Sequence, residues 1–101
     1  MDPAYYVEAE LQPGVITLEG EIGYGSLANL LEQARSFAEQ PVDVEVHWTE
    51  AKWVHFACLQ LFVSLKRTLE QSGKHLTFDE PSAEVAQAIR VFNLTPALGV
   101  N

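Results

Sequence analysis

Apolar and polar residues alternate over two early stretches of the chain. From Tyr5 to Leu11, Tyr5, Val7, Ala9 and Leu11 share one face and Tyr6, Glu8 and Glu10 the other. From Val15 to Ile22, Ile16, Leu18, Gly20 and Ile22 are in phase. A period of two is the signature of a strand with one wet face. Pro13-Gly14 between them supplies turn chemistry, so the pair predicts a β-hairpin. Gly23-Tyr24-Gly25 ends the second strand, and Ser26 is placed to cap a helix. Leu27, Leu30, Leu31, Ala34, Phe37 and Ala38 then hold helical spacing up to Gln40-Pro41, which stops it.

Val42, Val44, Val46 and Trp48 predict a third strand, with Asp43, Glu45 and His47 opposite. Thr49 to Val54 reads as a connection, and a long helix is expected from about Phe56 to Ser72, closed by Gly73. Leu76 and Phe78 mark a fourth strand. Pro81-Ser82 opens a last helix whose stripe is Val85, Ala88, Ile89 and Phe92. The tail from Asn93, with Pro96 and Gly99, reads as irregular. The order is ββαβαβα. Strand–helix–strand crossovers after the hairpin imply a single-layer mixed sheet with covering helices, an α/β or α+β fold.

The long helix carries more apolar surface than one packing face uses. One stripe is Cys58, Leu61, Phe62, Leu65 and Leu69, and a second is Phe56, Leu59 and Val63. The surplus either packs on a neighbouring helix or leaves a partner-binding patch near the helix start. Trp48 and Trp53 flank the connection before this helix as core edges, Trp53 also being a fair interface anchor.

A length of 101 residues, 48% hydrophobic, predicts one domain spanning 1–101. A net charge of −8 with six scattered basic residues argues against nucleic acid and anionic membranes as partners. A single cysteine makes no internal disulfide, the acidic N-terminus does not resemble a signal peptide, and no apolar run is long enough to span a bilayer. These features predict a cytoplasmic protein.

Candidate chemistry centres on Cys58, His55 and His47. A histidine and a helix N-terminus can activate a thiol, but Cys58 shares its stripe with Leu61 and Leu65, which predicts an inert core thiol. The spacing of these three residues matches no zinc pattern, and His75 reads as a surface histidine. Glu8, Glu10, Glu19, Glu21, Asp43 and Glu45 read as a solvated sheet face, and Gly23 and Gly25 lack the rest of a phosphate loop. No cofactor and no metal is expected.

The element order together with three segments resembles the STAS domain, the fold of bacterial anti-sigma factor antagonists. The segments are GVITLEGEI (Gly14 to Ile22), His47 to Leu59, and PSAEVAQAIRVFNL (Pro81 to Leu94), and the resemblance covers about Val15 to Leu94. The family's central motif, Asp-(Ser/Thr)-Ser/Ala-Gly-Leu, carries a phosphorylated hydroxyl. Here His55, Phe56, Ala57, Cys58 and Leu59 align with it, and only Ala57 and Leu59 fit. Gly23 and His47 replace the family's acidic residues after the second and third strands. Phosphorylation would place about two negative charges at this helix start, and Phe56 and Ala57 accept none. Cys58-Leu59-Gln60 resembles a divergent branch associated with chemotaxis-type signalling histidine kinases. In the family Leu59 is core. That implies Leu59, Phe62 and Val63 toward the sheet, and Ala57, Cys58, Leu61 and Leu65 nearer the surface or another helix.

The resemblance implies a regulatory module that is not an enzyme and that docks a signalling protein, a histidine kinase or switch kinase, without phosphorylation. The expected surface is Trp53, His55, Phe56, Ala57, Gln60 and Leu61, with Gly23 and Tyr24 beside them. Two alternatives stand: an accessory subunit of a lipid ABC transporter, docking an ATPase through the same helix, and a thiol enzyme using Cys58.

Overall fold

The computed structural model of the protein describes residues 12–100. The strands are β1 (Gly14–Thr17), β2 (Gly20–Ile22), β3 (Val44–His47), β4 (Ala51–Val54) and β5 (Leu76–Phe78). The helices are α1 (Leu27–Ala38), α2 (Phe56–Gln71), α3 (Ala83–Val91) and α4 (Thr95–Leu98), and one 3-10 turn, Tyr24–Ser26, leads into α1. β3 lies between β1 and β5, and β2 pairs with β4. Every pairing among the described residues is parallel, and α1 or α2 lies in the crossover that each parallel pair needs. The hairpin strand expected over Tyr5 to Leu11, which would make the sheet mixed, lies outside the described residues.

The run from Val15 to Ile22 is two strands rather than one. It breaks at Leu18-Glu19, and its neighbour breaks between His47 and Ala51. Backbone pairing continues through the gap: the Leu18 N–H donates to the His47 carbonyl at 2.8 Å, and the Gly20 N–H to the Glu50 carbonyl at 3.0 Å. Gly20 sits at φ +72°, in the left-handed region that glycine enters without strain, and the pairing register slips between Gly20 and Glu21.

Two stretches expected to be irregular carry regular structure. The stretch from Thr49 to Val54 contains β4, whose pattern is buried, exposed, exposed, buried. With no alternation to read, only its pairing with β2 makes it a strand. The tail from Asn93 contains α4. Pro96 falls in its first turn, where a missing N–H costs nothing, and Gly99 ends it in the left-handed conformation. Leu94 and Leu98 are buried and hold this tail on the core.

The helix ends follow the residues that close them. The Ser82 hydroxyl accepts from the Val85 N–H at 3.2 Å and caps α3. Ser26 sits at the start of α1 but makes no side-chain cap bond; the 3-10 turn leads the chain in instead, with the Ser26 N–H donating to the Gly23 carbonyl. At the end of α2, Gly73 has φ +77°, the Lys74 N–H donates to Leu69 and the Gly73 N–H to Glu70. That is a Schellman closure. The Lys74 ammonium also donates to the Ala38 and Gln40 carbonyls, satisfying the end of α1.

α2 supplies Cys58, Leu59, Phe62, Leu65 and Leu69 to one core, where they meet Ile16, Val44, Val46, Trp48, Val54, Ile89 and Leu98. Leu59 thus joins the first stripe. Cys58 is buried, Leu65 is buried beside α1, the other helix that the resemblance allowed for, Leu61 and Val63 are half-buried, and Phe56 is exposed.

Candidate functional site

β2 and β4 end side by side, with Ile22 opposite Val54. The segments that follow them, Gly23-Tyr24 and His55-Phe56, therefore emerge at the same end of the sheet. The His55 N–H donates to the Ile22 carbonyl at 2.8 Å and ties the two exits together. His55 is extended (φ −60°, ψ 144°) and stands at the N-cap of α2. Its Nδ1 accepts from the Ala57 N–H at 2.9 Å, and its carbonyl accepts from the Cys58 and Leu59 N–H groups. A histidine thus does the work usually left to Ser, Thr, Asp or Asn.

Aromatic rings gather around this cap. Tyr24 meets the His55 ring edge-on with centroids 5.4 Å apart, and Trp53 meets it at 5.8 Å and 85°. Tyr24 is 64% exposed and Trp53 46%. Next to them Phe56, 39% exposed, leans on Phe92 at 4.7 Å. Phe92 is itself 45% exposed, and its neighbour Val91 69%.

Gly23, Tyr24, Trp53, His55, Phe56 and Ala57 thus lie together at one end of the fold. Gln60 is exposed one turn further along α2. Leu61 turns away: with Leu31, Ala34, Arg35, Ala38 and Leu65 it lines a shallow groove of about 210 Å³ between α1 and α2. Phe92 corrects the expectation that placed it in the buried stripe of the last helix. It fits the helical spacing, but it stands at the C-cap of α3, 45% exposed, with its ring against Phe56 rather than in the core.

Cys58 is fully buried, and burial pushes its thiol up, toward the neutral form. Its Sγ lies 3.8 Å from the Gly23 carbonyl, a weak contact that holds the turn against α2. His55 aims its acceptor nitrogen at a backbone amide, away from any role as a base for this thiol. His47 is on the exposed face of β3, 3.1 Å from the Glu45 carboxylate. His75 is also exposed, and its backbone N–H donates to Asp43. Among the described residues no three His, Cys, Asp or Glu side chains converge as metal ligands. Glu19, Glu21 and Asp43 are exposed and Glu45 half-buried, as a wetted face requires.

The family model described as "Mlab, STAS domain" matches residues 6–99. The chain belongs to the STAS domain family. No curated protein matches it. STAS domains serve as regulatory or interaction modules and are generally without catalytic activity, and this one carries an aromatic cluster around the start of its long central helix. None of its described helices is long and apolar enough to cross a membrane.

Proposed function

We propose that this STAS domain is a non-enzymatic docking module that binds a signalling protein, a histidine kinase or switch kinase, through the start of α2. One observation carries the reading: Tyr24, Trp53 and Phe56 stand exposed around a rigid helix cap, where a folded protein would otherwise bury such side chains. No acceptor hydroxyl occupies the first turn, since Phe56, Ala57 and Cys58 follow the cap. Contact there is made by apolar fit. Phe56 is the anchor, worth about 1–3 kcal/mol once desolvated.

The test is affinity capture from native cell extract with the wild-type protein and with Phe56→Ala. The variant is expected to keep its circular dichroism and melting temperature and to lose the captured kinase. A variant that unfolds makes Phe56 a core residue and ends the proposal; so does one that captures the kinase as well as wild type.

A second reading keeps the surface and changes the partner to the ATPase of a lipid ABC transporter. The absence of a phosphorylatable hydroxyl favours it, because a contact without a charge switch suits a permanently bound subunit. The identity of the captured protein and the neighbouring genes separate the two. A thiol enzyme using Cys58 is disfavoured by the burial of that residue and by the upward push on its thiol.

A further inference from the structure

We propose that His55 is a proton-sensitive cap, and that protonating it loosens the aromatic surface packed against its ring. The inference supplies a regulation for the docking surface proposed above and rests on that reading for its biological meaning. The cap itself is a matter of geometry.

Because the Ala57 N–H donates to His55 Nδ1 at 2.9 Å, the neutral ring must carry its proton on Nε2. The Ala57 N–H is one of the first-turn donors that a helix leaves without an internal partner. A proton on Nδ1 turns the acceptor into a donor, and two donors cannot remain at that separation. The imidazolium would also face the positive end of the α2 macrodipole. The ring must then swing out. Tyr24 and Trp53 rest on it edge-on, so both lose their support together. His55 is half-buried, within reach of solvent protons.

Charged groups that could hold the imidazolium in place are few. The first turn of α2 has no acidic residue. β2 brings Glu21 and β4 brings Lys52, both exposed, the 3-10 turn brings the Tyr24 phenol, and the last turn of α3 brings the exposed Arg90. Among the described residues none of these forms an ion pair or hydrogen bond with the ring. An Asn, Ser or Thr cap has no proton to gain and would hold the same amide whatever the acidity; a histidine makes the contact conditional.

Nuclear magnetic resonance on the isolated protein tests this in a titration carried from neutral into acid until the His55 ring nitrogens report the imidazolium. The ring nitrogens of His55 should report the Nε2–H form at the upper end. As the ring takes up its proton, exchange protection of the Ala57 amide should fall roughly fivefold, the factor an ordinary N-cap contributes, and the Trp53 indole resonance should move with the same midpoint. His55→Asn keeps a capping acceptor that does not titrate, and both steps should vanish in it. A neutral ring carrying Nδ1–H would overturn the proposal in wild type alone, whether or not the variant folds. So would a Trp53 resonance or Ala57 protection that ignores the titration, or the same steps in His55→Asn. No partner enters this measurement, so a failed capture experiment leaves the cap standing and a flat titration leaves the docking surface standing.

Discussion

Trp48 and Trp53 lie five residues apart on one continuous stretch of chain and meet opposite conditions. Trp48 is fully buried. Its ring stacks on Phe78 with centroids 4.6 Å apart and meets Phe62 edge-on. Its indole N–H donates to the Asp79 carbonyl at 3.0 Å, and its backbone N–H to the Asp79 carboxylate at 2.9 Å. Thr49 adds a bond from its hydroxyl to the same carboxylate. Trp53 is nearly half exposed, and the one aromatic contact it makes among the described residues is with His55. One corner of the sheet is therefore pinned on every side, and the next turn along presents its rings to solvent. A buried indole needs a partner for its N–H, and Asp79 provides it. Trp53, nearly half in water, makes no such demand.

The largest effect that sharpens this contrast is expected from Trp48→Ala, which should cost about 3–5 kcal/mol in urea unfolding, the range for deleting a large buried aromatic. A loss below about 1 kcal/mol would erase the distinction between the two tryptophans. Asp79→Ala should follow with about 1–3 kcal/mol, because the Trp48 amide is left without an acceptor. Asp79→Asn, which retains a carbonyl oxygen, should recover most of it. Trp53→Ala should be the mildest, within about 0.5 kcal/mol of wild type in unfolding, while weakening partner capture about tenfold or more. If Trp53→Ala lowers stability as much as Trp48→Ala does, the exposed turn is structural and the comparison collapses.

The same division shows in how the chain could be read. Its strongly periodic segments were legible: the α2 pattern from Phe56 onward, the alternation of Val42 to Trp48, the α3 start at Ser82 and the closure at Gly73 all have local causes. β4 was not legible, because Ala51-Lys52-Trp53-Val54 has no period and becomes a strand only beside β2. The candidate site was legible in part. Turn position placed Tyr24, Trp53, His55 and Phe56 at one end, but Leu61 belongs to the α1 groove and Phe92 to the patch. Spacing along a helix reports which residues share a face; it does not report what lies opposite that face.

By itself, then, the sequence determined the element types wherever hydrophobic period, caps and turn residues agreed, and it determined that the first turn of α2 has no hydroxyl to modify. Tertiary structure alone decided which apolar residues remain in water and that His55 turns a ring nitrogen to the Ala57 amide. The reason is physical: periodicity and capping act between residues a few positions apart, whereas burial depends on where chain segments far apart in sequence come to rest.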